Sequence, residues 1–306
     1  MLNENKVAMP MIYSNQCRIY TRKIQGNTMT DITIDANTPV RQKRRPDWLT
    51  LSAKTWFIVT AIGQWLFVTY IAGYYGLRFV GDGVGGFAGT HLANGFIAGD
   101  SIGNIALAIH ILVAGLIIAA GQIQLVPAIR NKLPLLHRSS GWFFMIASVI
   151  VSIAGVYLTW SRERVIGSLI QDIGVTGSGV LVMLFVPIAL YYAIKRNFAA
   201  HRRWALRLFL VVSAVWFLRL MVFGWFIATG GIGIDGKTFT GPFLEVVSFA
   251  QYLLPLAVLE LYFWASKPKN KRYQSAVASL IFVVCAAMAI GVFAISSASW
   301  IPKIGA

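Results

Sequence analysis

Charge is scarce in this chain. Only 12% of its 306 residues are charged, and only 11 are acidic. An ordinary soluble domain carries about a quarter charged residues. This scarcity, set against 57% hydrophobic residues, excludes a disordered chain and a soluble globular enzyme. Cysteine is almost missing. Cys17 lies in a polar N-terminal stretch and Cys285 in the last apolar run, so the two are not expected to meet and no disulfide scaffold is possible. The four histidines come with few carboxylates in the apolar runs, which leaves no metal cage. His-Glu-x-x-His, a nucleophile elbow and a P-loop are all missing, so those hydrolase and nucleotide-binding classes fall away. The period-two alternation of a membrane β-barrel is missing too. Without zinc-ligand spacing or a base-stacking motif, the net charge of +16 does not indicate nucleic acid.

What is present is long apolar runs and a mean hydropathy of +0.66. The runs fall near 53–76, 103–126, 140–160, 173–194, 204–228, 242–265 and 274–296. Each is long enough to cross ~30 Å of hydrocarbon as a helix rising ~1.5 Å per residue. The expected fold class is an all-α integral membrane protein, a seven-transmembrane helix bundle. Lys and Arg fix its expected direction. The segments 39–54, 127–138, 195–203 and 266–273 hold sixteen of them, and the opposite side holds five: Arg78, Arg162, Arg164, Lys237 and Lys303. That asymmetry predicts N-inside and C-outside.

The organisation follows. Residues 1–47 form a polar cytoplasmic tail, expected to be disordered, and Met29 offers a second start that would leave out 1–28. Residues 48–298 form the seven-helix domain, and 299–306 a short external tail. Arg41 to Arg45 read as a topology anchor, with an anionic lipid as the sharper alternative. The glycine-rich outer loops 76–103 and 229–241 are turn-dense, and the first is long enough to lie back as a lid. Pro187 and Pro255 are expected to kink spans four and six.

Ionisable residues inside spans are expensive and mark candidate sites. His110 and Arg219 should lie at one level, ~10–12 Å below the outer boundary, with Gln64, Gln251 and Tyr252 near that depth. The bland readings are a helix-to-helix hydrogen bond for His110, and snorkelling or pairing with Glu245 for Arg219. A second polar group gathers at the inner boundary: Gln122, Gln124, His137, Arg138, His201 and Arg202. Arg207 and Glu260 should pair there. Arginine and tryptophan at an inner interface can serve topology alone. Histidine adds little to topology because it is mostly neutral at pH 7, yet His137 and His201 each open a span and each precede an arginine. That pattern suits a haem with its propionates, a quinone head group or a phospholipid head group.

The string GQIQLVPAIRNKLPLLHRSSGWFF, followed by AAHRRWALRLFLVVSAVWFLRL, resembles the prokaryotic predicted membrane proteins of domain of unknown function 2306. The matching positions are His110, Gly121, Gln122 or Gln124, Arg130, Pro134, His137, Arg138, Gly141, His201, Arg202, Trp204 and Arg219. The resemblance covers roughly 103–225. It implies a multi-pass protein of a bacterial cytoplasmic (inner) membrane and implies no activity.

Three functions remain open at this stage. One is a redox-type membrane protein holding one b-type haem or a quinone, with His137, His201, Arg138 and Arg202 as the inner site and a membrane redox partner. The iron ligands, if haem is bound, would be His137 and His201. A second haem would need another histidine at the depth of His110, and only His91 could supply it. The second function is a transporter or lipid-handling protein with an anion site at His110 and Arg219. The third is an assembly subunit without chemistry. Membrane lipids are the common partner of all three, and nucleic acid of none.

Overall fold

The computed structural model describes residues 47–90, 92–164, 167–267 and 270–304. Cys17, Met29, His91 and the basic run 41–45 lie outside the described residues. Eight principal helices appear among the described residues: α1 (Trp48–Tyr70), α2 (Ser101–Leu125), α3 (Pro134–Ser161), α4 (Leu169–Ile194), α5 (Phe198–Val212), α6 (Ala214–Thr229), α7 (Pro242–Ala265) and α8 (Lys271–Ile295). There is no strand among them, only one isolated bridge between Asp235 and Thr240. Among the described residues six helices are long and apolar enough to cross a membrane, and the bent pair α5 and α6, counted as one span, brings the number to seven.

Local chemistry sets the helix starts. Asp47 caps α1 through Thr50, Asp100 caps α2 through the Gly103 N–H, and Asn197 caps α5 through Ala200. Ser168 and Gln171 form a reciprocal capping box on α4, which satisfies two orphan donors at once. The Thr50 hydroxyl donates to the Asp47 carboxylate and holds its pKa below the ordinary aspartate value. Pro127, Pro134 and Pro242 occupy first-turn positions, where the missing N–H costs nothing.

The broken span is the core of the bundle. From Trp204 to Trp225 no residue is exposed. The outer helices instead present Ile58, Leu116, Ile150, Leu184 and Val283 on exposed faces, as lipid-facing helices do. α5 packs on α4 and α7, α6 packs on α7 and α8, and α1 bridges α2 and α8. The break bends the chain by 51°. It falls at Ser213, whose hydroxyl donates to the Phe209 carbonyl at 2.8 Å and accepts from Gln64 Nε2 at 2.9 Å. A side chain inserted into the helical ladder in this way is a recognised cause of a bend. Pro187 and Pro255, the expected kink sites, sit inside unbroken helices.

Two boundaries differ from expectation. The first helix runs on through a π-turn, Ile71–Gly76, and a further turn, Leu77–Asp82, so the start of the expected outer loop is helical. The rest of that loop folds into short turns and drives Phe87, 0% exposed, against Tyr75. The last helix continues through Ser296–Trp300. Trp300, read as part of a free tail, is 1% exposed and stacks on Phe67 at 5.0 Å.

Candidate functional site

The bundle has two polar ends. The basic end holds the starts of α3 and α5, and the loop end holds the glycine-rich connections. At the basic end, Pro134 opens α3 and Asn197 caps α5, which sets His137 and His201 in the first turns of their helices. His201 Nδ1 lies 2.9 Å from the carbonyl of Ala189 on α4. This contact fixes the ring and leaves Nε2 to face elsewhere. His137 lies within electrostatic range of both Arg130 and His201, so the two imidazoles share one region. His137 Nδ1 is buried with no hydrogen-bond partner. Gln124 braces this corner: its Nε2 donates to the His137 carbonyl at 3.0 Å and to Ser140 Oγ at 2.7 Å. Gly141 sits directly beneath it, where a Cβ would come within 3.1 Å of the Gln124 amide oxygen. Arg138 and Arg202 are exposed. The cation that enters electrostatic range of His137 is Arg130, on the short helix Pro127–Lys132. Sequence reasoning had not selected it as a site residue.

Beside this corner, Arg207 and Glu260 form the expected ion pair. Arg207 Nε and Nη2 meet the two carboxylate oxygens at 2.7 and 3.0 Å. The guanidinium also lies over the Trp204 ring at 4.7 Å, while Trp204 meets Phe185 edge-on at 5.2 Å. The Glu260 side chain is 45% exposed, so screening limits the pair. The two alanine variants are expected to couple by about 1 kcal/mol in a double-mutant cycle of thermal unfolding. Additive losses would show that the pair contributes nothing.

Toward the loop end, His110 Nδ1 lies 3.0 Å from the Val151 carbonyl of α3. Its ring fills the space over Gly155, where a Cβ would come within 2.7 Å of Cε1. Arg219 lies within electrostatic range of His110, Tyr70 and Tyr75. Its guanidinium sits over the Phe67 ring at 5.0 Å and donates to the Val215 carbonyl at 3.2 Å. The other residues expected at this level do not join them. Gln64 turns to Ser213 and accepts from Gln122 Nε2. Gln122 therefore belongs to the buried interior and not to the basic end, because its amide pairs with Gln64 of α1. Gln251 donates to Ser248 in its own helix, and the Tyr252 hydroxyl lies against Gly177 of α4. Glu245 accepts from Ser168 Oγ at 3.1 Å and does not pair with Arg219.

Tyr70 and Tyr75 carry no signal in the sequence beyond that of span residues, and Arg162 none beyond that of a loop charge. Asp100 three residues ahead of Gly103 was a legible capping signal; the partner of its carboxylate was not. Among the described residues no group of three His, Cys, Asp or Glu side chains is placed to hold a metal ion.

A family model described as predicted membrane protein (DUF2306) matches residues 107–263. No curated protein and no solved structure matches the chain.

Proposed function

Since the chain belongs to the DUF2306 family of predicted membrane proteins, we propose that it is a redox-type protein of a bacterial cytoplasmic membrane that binds a quinone head group between His137 and His201. The observation that carries the reading is the buried, unpartnered Nδ1 of His137. A buried polar nitrogen without a partner costs about 1–3 kcal/mol, and a ligand carbonyl removes that cost. His201, held through Nδ1 on Ala189, presents Nε2 to the same region. Two imidazoles on separate helices can meet the two oxygens of one quinone ring: His137 Nδ1 would donate to a carbonyl, and His201 Nε2, the lone-pair nitrogen, would accept from the hydroxyl of the reduced ring. Arg130 adds positive charge that favours a reduced, electron-rich ring. A membrane redox partner would exchange the electrons.

The alternative occupant is one b-type haem ligated by both histidines, with Arg138 and Arg202 on its propionates. His201 suits that role, because an iron-ligating histidine normally hydrogen-bonds its other nitrogen to a carbonyl or carboxylate. His137 lacks that bond, which favours the quinone.

The test is titration of the purified full-length chain in nanodiscs with a short-chain ubiquinone, read by quenching of tryptophan fluorescence. Trp204 is one turn from His201 and supplies the signal. Saturable quenching that weakens at least tenfold in His137→Ala and in His201→Ala is expected, at about 1.4 kcal/mol per tenfold. A Soret band lost in both variants would assign haem instead. Neither signal would end the reading.

The cation asymmetry supports placing the basic end in the cytoplasm. Single cysteines introduced at Lys195 and Lys237 are expected to react with a membrane-impermeant maleimide only at Lys237 in intact cells. Labelling only at Lys195 would reverse the orientation.

A further inference from the structure

Arg219 stands about 15 Å inside the loop end of its helix, counting ~1.5 Å per residue back from Thr229. A guanidinium does not give up its proton in a protein, so the charge persists at that depth. Its neighbours do not cancel it. The ion pairs of the described residues occupy Asp100, Asp172 and Glu260, and Glu245 is held by Ser168. No carboxylate among the described residues pairs with Arg219. The Phe67 ring face attracts the cation without neutralising it. The Val215 carbonyl takes one N–H of the five that a guanidinium carries.

The groups around it are polar and carry no negative charge. Tyr70 and Tyr75, whose rings meet edge-on at 5.8 Å, lie within its electrostatic range, and Tyr70 also lies beside Phe67, whose ring carries the guanidinium. His110 does too, with its Nδ1 already committed to Val151. Phe87, itself fully buried, packs edge-on against Tyr75 at 6.0 Å. A fixed cation, two hydroxyls and an imidazole in an apolar shell form an incomplete set. What they lack is negative charge carried on oxygen.

We propose that Arg219, Tyr70, Tyr75 and His110 form a binding site for an anionic oxygen ligand, a carboxylate or phosphate group. The site lies toward the opposite end of the bundle from His137 and His201 and is independent of the quinone reading. The oxygens would accept from the guanidinium fork and from the tyrosine hydroxyls, and His110 Nε2, the lone-pair nitrogen once Nδ1 donates to Val151, would accept from a protonated ligand oxygen. The charge enters as an anion from water or as the phosphate of an anionic lipid.

The test uses the full chain in nanodiscs of two compositions, pure phosphatidylcholine and an equal mixture with phosphatidylglycerol. Thermal unfolding is followed as inorganic phosphate or acetate replaces chloride at constant ionic strength. A free anion is assigned if phosphate or acetate raises the unfolding temperature in phosphatidylcholine. A lipid phosphate is assigned if only the phosphatidylglycerol discs do so. In either case Arg219→Gln is expected to abolish the shift, and Lys237→Gln, which removes an exposed charge from the loop at the same end, is expected to keep it. If Arg219→Gln does not fold, the double variant Tyr70→Phe/Tyr75→Phe decides. It keeps both rings and is expected to weaken the apparent affinity at least tenfold. A wild-type protein indifferent to phosphate, acetate and lipid charge overturns the proposal. So does a shift that survives Arg219→Gln, or one unchanged in the double tyrosine variant.

Discussion

Arg162→Ala is expected to lower stability by about 3–5 kcal/mol, the cost of breaking a buried charge network from one side. Its side chain is 3% exposed. Nε and Nη2 both lie 3.0 Å from Asp100 Oδ2, Nη1 donates to the Gly95 carbonyl at 2.7 Å, and Nη2 donates to Asn104 Oδ1 at 2.9 Å. Asn104 in turn exchanges two hydrogen bonds with the backbone of Ile97. The end of α3, the start of α2 and the glycine-rich turns are thus joined through one guanidinium. Thermal unfolding measures the loss, and limited proteolysis within 83–99 should accelerate with it. Arg162→Lys should recover only part of the stability, because an ammonium cannot reproduce the planar fork. A loss under about 1 kcal/mol would place this network with ordinary solvated ion pairs.

Gly291→Leu should have the largest effect of any single change in the apolar interior. α6 and α8 cross where Gly224 and Gly291 meet. A Cβ on Gly291 would lie 2.6 Å from the Leu220 carbonyl oxygen and 3.1 Å from its carbon. Those atoms are backbone and cannot rotate away. Small residues at such crossings let membrane helices approach closely. Overpacking commonly costs about 1–3 kcal/mol, and more when no side chain can yield. The central helix would have to leave its partner, so no monodisperse protein is expected after purification. Gly291→Ala should fold with a depressed unfolding temperature. Ala287→Leu, on an exposed position of the same helix, should behave like wild type. Equal behaviour of Gly291→Leu and Ala287→Leu would refute the close crossing.

The apolar runs were legible because a bilayer demands them. Seven stretches of membrane-spanning length became six long helices and one bent pair. The Arg207 and Glu260 pair was legible because matched depth on antiparallel spans leaves few other partners. The bend at Ser213 was not. Serine carries no breaker signature, and the bend depends on Gln64 arriving from another helix. The helix running on to Asp82 was hidden by the glycines at 81, 83, 85 and 86, which resemble a loop until tertiary packing overrides propensity. At the candidate sites, depth counting set His110 and Arg219 at one level, but depth does not give the direction a side chain faces. Gln64, Gln251 and Tyr252 share the level and turn elsewhere. Arg130 comes within electrostatic range of His137 because the chain between them folds into the short helix Pro127–Lys132.

Photoaffinity labelling with an azido-quinone tests the central claim most directly. The full chain in nanodiscs is irradiated with the probe, digested and mapped by mass spectrometry. Adducts are expected in the first turns of α3 and α5, around His137 and His201, competed away by unlabelled quinone and lost in His201→Ala. Adducts confined to the loop end, or scattered over the lipid-facing helices without competition, would contradict a quinone site at the histidine pair.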